Sequence, residues 1–247
     1  MNFETFWDED YLLLETEFLS YTKFVPLVPE HYDVWSIKLA NLLLLIGSSV
    51  DSFLKNALPH SLSVLLSEYC LNNHGKIHPR VNDLYKYHSM LHDDKTNMGI
   101  FRSVFEEFYK FSNKPVYVLS NKEKLIPFNA WEDDMTPEWW KVYRSLKHDR
   151  IEHRKSCTLG ITLNALAALF VLNIYHLESR EYLVYSKNVI RSNMNPRFMD
   201  FFEERGKINT IQPLIAKTKL FGYVFETDGY DYDHPWNILD PANVYGL

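Results

Sequence analysis

Between Lys141 and Lys155, within fifteen positions, stand six basic residues (Lys141, Arg144, Lys147, Arg150, Arg154 and Lys155) and two histidines, His148 and His153. Imidazole takes or gives a proton near neutral pH, and guanidinium and ammonium groups stabilise the charge of a phosphorane. The combination suits phosphodiester chemistry without a metal. On RNA the 2′-hydroxyl is an internal nucleophile, so this small set of groups is sufficient for strand cleavage. The opposing reading is a solvated basic helix face, neutralised by Glu132, Asp133, Asp134 and Glu138 nearby.

The segment that must position these groups begins with a helix entrance: Thr136 as N-cap, Pro137 at the first helical position and Glu138 in the first turn. If the helix runs unbroken, Trp139, Val142, Tyr143 and Leu146 share a face that Arg150, His153 and Cys157 continue, with Arg144, His148, Ile151 and Lys155 opposite. A break near Asp149 would change that division. On the unbroken helix Arg150 falls on a core-like stripe, where an unpartnered charge is costly, so it must meet a carboxylate, a cleft or a subunit interface. This predicts a symmetric homodimer through residues 137–178. The candidate catalytic residues are His148, Arg150 and His153, with Arg144 and Lys147 as candidate substrate-binding residues. The apolar run 159–174 reads as a buried helix, too short for the ~20 residues that span a bilayer.

Upstream, residues 3–21 read as a short helix followed by a linker at Pro26 and Pro29. Asp33 is placed to cap a second helix whose apolar positions, Trp35, Leu39, Leu42, Ile46, Val50, Phe53 and Ala57, keep a helical period until Pro59. Gly47, Ser48 and Ser49 in its middle predict a close approach by another backbone. Asp51 and Lys55, four apart, either pair on the helix surface or face the basic cluster, which makes Asp51 a further candidate substrate-binding residue. Residues 61–73 read as another helix, Phe101 and the aromatic positions after it as a core helix, and 116–119 with 125–128 as a hairpin. Beyond Ser179 the expectations are a helix over 181–190, a break at Asn195-Pro196, a short amphipathic turn over 198–204 and a strand over 219–225.

The net charge of −6 and a pI near 5.9 exclude a general polyanion binder, so any nucleic-acid contact must be local. Two cysteines, Cys70 and Cys157, cannot build a disulfide framework and fit a reducing compartment, and the acidic N-terminus lacks the basic region of an export signal. A cytoplasmic protein with no membrane association is expected. His74 with His78 and His88 with His92 repeat an i,i+4 spacing that suits metal ligands, but Gly75, Pro79 and the missing glutamate argue for surface histidines, and no bound metal is expected. The carboxylates of 227–235 lack the ligand order of a calcium loop. With 8 glycines and no phosphate-binding loop, no nucleotide cofactor is expected.

The expected fold is mostly α and a single domain. It is a helical bundle on residues 33–58 and 137–178, with a small hairpin inserted at 115–128 and a C-terminal appendage over 190–247. The leucine-rich helix Leu42-Leu-Leu-Leu-Ile-Gly-Ser-Ser-Val-Asp-Ser-Phe-Leu-Lys55, together with Trp139-Trp-Lys-Val-Tyr-Arg-Ser-Leu-Lys-His-Asp-Arg150 and the alanine-rich helix after it, resembles the HEPN-like bacterial helical-bundle proteins. The likeness covers about 33–58 and 131–178. It implies a dimer in which an arginine, followed after four to six residues by a histidine, helps form a metal-independent RNA-cutting site. This chain departs from that spacing: three residues separate Arg144 from His148 and two separate Arg150 from His153, while Lys147 and His153 have the spacing with lysine in place of arginine. The resemblance implies RNA or nucleotide binding with ribonuclease activity, or equally a non-catalytic interaction or regulatory module.

Overall fold

The computed structural model describes residues 3–76, 97–186, 188–191 and 214–225, with isolated positions 79, 82, 83, 86, 90, 235 and 239. Most of them are helical: α1 Phe3–Thr5, α2 Leu12–Thr22, α3 Ile37–Asn72, α4 Met98–Tyr109, α5 Glu138–His148, α6 Arg150–His153, α7 Leu159–Tyr175 and α8 Leu177–Tyr185. A π-helical stretch, Phe6–Tyr11, joins α1 to α2. The described residues fall into two compact units. The first is formed by Trp35–Lys114 and Ile126–Ala168, the second by Asn2–Val34, Pro115–Leu125 and Leu169–Leu247.

Helix α3 organises the first unit. Its N-cap is Ser36, not Asp33: Ser36 is in extended backbone (φ −156°, ψ 162°) and its Oγ accepts from the N–H of Leu39 at 3.1 Å. Ser36→Ala is expected to cost about 1 kcal/mol in urea unfolding, the usual loss for an N-cap hydroxyl. The helix does not stop at Pro59 but runs 36 residues to Asn72, absorbing the segment expected as a separate helix. Pro59 contributes no N–H to the helix ladder, and it stands between buried Ala57 and Leu58 before it and buried Leu62 after it. By length and composition the stretch Ile37–Ser63 would also suffice to cross a membrane, and half of it is buried within the fold. An antiparallel bridge between Trp35 and Thr158 ties the entrance of α3 to that of α7.

Gly47 makes the close approach that its position in mid-helix suggested, but to a side chain instead of a backbone. A β-carbon there would overlap the ring of Tyr143 on α5, with Cε2 only 2.6 Å away. Helix α5 buries Trp139, Trp140, Val142, Tyr143 and Leu146, and leaves Lys141, Arg144, Lys147 and His148 exposed, as its 3.6-residue period dictates. Its first turn is fixed by aromatic packing. Trp139 donates from Nε1 to the Pro127 carbonyl at 2.8 Å and meets Phe128 edge-on at 5.8 Å, while Trp140 packs on Tyr143 at 5.0 Å. The N-cap position belongs to Pro137 and no side chain caps it, so Thr136 lacks the role expected of it.

In the second unit, α7 continues as a helix buried on every side from Leu169 to Ile174, in accord with its apolar sequence. The expected hairpin forms, with β1 Val116–Val118 pairing with β2 Lys124–Leu125 in the register Val116↔Leu125. It is not isolated. With β3 Val189–Arg191, β4 Leu214–Lys217 and β5 Phe221–Val224 it makes an antiparallel sheet ordered β2-β1-β5-β4-β3, so the expected C-terminal strand lies at its centre. The helix expected over 181–190 ends at Tyr185, where Ser186 leaves helical backbone, and residues 189–191 enter the sheet. Buried Glu15 accepts from the hydroxyls of Tyr11 and Thr218 and from the N–H of Leu220, which fixes the β4–β5 turn. The expectations for 195–204 and 227–234 lie outside the described residues.

Candidate functional site

The basic segment is two helices, not one. His148 ends α5, and Asp149 adopts extended backbone (φ −141°, ψ 95°) while its Oδ1 accepts from the N–H of Glu152 at 3.0 Å, starting α6. One extended residue turns the chain, so the face that buries Trp139 and Leu146 does not continue into Arg150. Arg150 is exposed and donates to Oδ1 of Asn41, which corrects the expected burial and removes the physical ground on which a two-fold interface was inferred from it. Arg150 instead lines a small groove with Ile37, Ala40, Ile151 and Arg154.

Four of the remaining five candidates, Asp51, Arg144, Lys147 and His148, converge. A cleft of about 300 Å³ is lined by Asp51 and Lys55 of α3, Asn97 and Met98 at the start of α4, and Trp140, Tyr143, Arg144, Lys147 and His148 of α5. The α5 residues are at positions i, i+3, i+4, i+7 and i+8, a single helical stripe. The next stripe, Lys141, Arg144, Ser145 and His148, lines a second cleft of about 390 Å³ together with His153. Arg144 and His148 line both. Lys147 and His153, the pair with the spacing of active HEPN enzymes, line different clefts.

Among the described residues no hydrogen bond or ion pair engages Arg144, Lys147 or His148, and Lys147 Nζ lies 5.9 Å from the centre of the Tyr143 ring. Of the carboxylates invoked to neutralise the cluster, one is engaged elsewhere and one meets a cluster member. Asp134 pairs with Arg102 at 3.2 Å, and Glu138 meets only Lys141 at 3.4 Å. Asp51 pairs with Lys55 at 3.1 Å and also lines the first cleft. The Tyr143 hydroxyl is raised above its usual pKa by burial first and by the charge of Asp51 second, with Lys55 opposing. The N-terminal end of α4, where Asn97 accepts from the N–H groups of Gly99 and Ile100, adds the positive end of a twelve-residue helix dipole.

Cys157 is buried, and burial pushes its thiol up to about 11 against the opposing charge of Arg150, so it is no nucleophile at neutral pH. Among the described residues no three of His, Cys, Asp and Glu are grouped to hold a metal. His74 is exposed in left-handed backbone (φ 54°), and His78, His88 and His92 lie outside the described residues. Trp140, Tyr143, Asn97 and Met98 are cleft residues that the sequence candidates omitted. The signal for the first two was the stripe that they share with Arg144, Lys147 and His148. No family model, no curated protein and no solved structure matches the chain.

Proposed function

We propose that the chain is a HEPN-like protein that binds single-stranded RNA through the first cleft, with His148 placed for proton transfer at a bound phosphodiester. The observation that carries this reading is the convergence of Arg144, Lys147 and His148, none neutralised by a described carboxylate, on one cleft beside aromatic side chains. Two cations and an imidazole around a phosphate supply charge stabilisation and a proton carrier, and no metal enters the chemistry. A homodimer rests on the resemblance alone, as does a cytoplasmic location on the cysteine content. Binding without cleavage is the second reading, favoured by Arg150 being turned to Asn41 and His153 standing in the neighbouring cleft.

The test is fluorescence anisotropy and gel analysis of a labelled single-stranded RNA, in chelator. Binding is expected to weaken with salt at a log–log slope of about −1.4, the value for two phosphate contacts on a single strand. His148→Ala is expected to abolish cleavage and to leave thermal stability nearly unchanged, because the side chain is exposed. Cleavage that survives this change removes the role given to His148. No binding at low salt removes the whole reading.

A further inference from the structure

Asp51 is the one carboxylate among the described residues that line the first cleft. A carboxylate repels phosphate, so a cleft serving negative charge alone would be better without it. The second cleft, which has Lys141, Arg144, Ser145, His148 and His153 as its lining, contains none. Asp51 is also no freely solvated surface group: its side chain is 25% exposed, it is held by Lys55 at 3.1 Å, and its charge is felt at the buried Tyr143 hydroxyl. An ionised carboxylate has only acceptor capacity to offer a ligand, and the bond to Lys55 uses one part of it.

Resting on the RNA-binding reading, we infer that the first cleft is divided by charge: Arg144, Lys147 and His148 take the phosphate, and Asp51 accepts a hydrogen bond from a donor group on the attached nucleoside. Asp51 is then a specificity-determining residue. It favours a ligand that is anionic at one end and carries a neutral donor at the other, and it disfavours bare polyanions. Three groups on a nucleotide have this chemistry, the ribose 2′-hydroxyl, an exocyclic base amino group and the ring imino N–H of guanine or uracil, the last marked by a penalty that oligodeoxyuridylate shares.

The experiment is calorimetric titration of the full chain and its Asp51→Asn variant with inorganic pyrophosphate and with short single-stranded oligonucleotides. The two ligands are expected to move in opposite directions. RNA affinity falls about tenfold, as the hydrogen bond exchanges a charged acceptor for the weaker neutral amide oxygen, and pyrophosphate affinity rises about threefold as the repelling charge goes. Oligodeoxynucleotides that show no penalty identify the 2′-hydroxyl as the donor. A penalty present for oligocytidylate and absent for oligouridylate identifies the amino group. Asp51→Ser, smaller and neutral, has the same expectation and serves if the first variant does not fold. Affinities that rise together show a carboxylate that only repels, and affinities that do not move show a surface ion pair; either result overturns the inference while RNA binding stands. Wild-type protein that binds no RNA overturns the binding reading itself.

Discussion

Gly47→Ala is expected to destabilise the first unit by about 2 kcal/mol, although alanine is the better helix former by ~1 kcal/mol. The added methyl would overlap ring atoms of Tyr143 near the root of its side chain, where rotation gives little relief. The ring is buried, with Trp140 packed at 5.0 Å and the α3 backbone close at Gly47. Overpacking of this kind costs about 1–3 kcal/mol and more when the neighbours cannot move, so the clash exceeds the gain in propensity. Gly47→Val should be worse, since it adds volume and β-branching. Urea unfolding gives the shift in midpoint, and a Gly47→Ala protein as stable as wild type would mean that α3 and α5 do not pack at this glycine. Because Tyr143 also lines the cleft, the same variant should weaken RNA binding while leaving Arg144, Lys147 and His148 chemically intact.

Helical periodicity made the faces of α3 and α5 legible from sequence, because burial follows the 3.6-residue repeat wherever one helix packs on another. It revealed Trp139, Val142, Tyr143 and Leu146 as a buried face and marked Gly47 as a close contact. Periodicity fails where a single residue leaves helical backbone, and that happened at Asp149. A sequence signal was present there: Asp149 and Glu152 have capping-box spacing, and the Asp149 carboxylate takes the Glu152 N–H. Reading the segment as one helix carried the buried face beyond Leu146 and put Arg150 inside. The opposite error occurred at Pro59, where a local breaker was given more weight than the apolar positions continuing beyond it. The strands of the second unit were harder. Phe221–Val224 is short, and its partners are β1, about a hundred residues away, and β4, so only tertiary pairing sets its place in the sheet.

The double variant Arg144→Ala/Lys147→Ala should reduce affinity for single-stranded RNA about a hundredfold at low salt and remove most of its salt dependence. Each side chain is exposed, and among the described residues neither is held by a carboxylate, so each is free to meet a phosphate. A hydrogen bond to a charged group contributes about 1.5–3 kcal/mol, and two such losses, moderated by solvent exposure, come to about 3 kcal/mol, or two orders of magnitude. The log–log salt slope should become shallower by about 0.7 for each phosphate that no longer meets a cation. Folding should be nearly untouched, because the main stabilising interaction removed is that of Lys147 with the Tyr143 ring at 5.9 Å, worth about 0.5–1 kcal/mol when exposed. Arg150→Ala is the informative control. It removes the same charge from the same basic segment, but from a side chain that lies outside both clefts and is tied to Asn41. If non-specific attraction to a basic surface governed binding, the loss of Arg150 would matter about as much as the loss of Lys147. If the cleft governs it, Arg150→Ala should bind within about twofold of wild type, because one screened charge outside the cleft contributes little at physiological ionic strength.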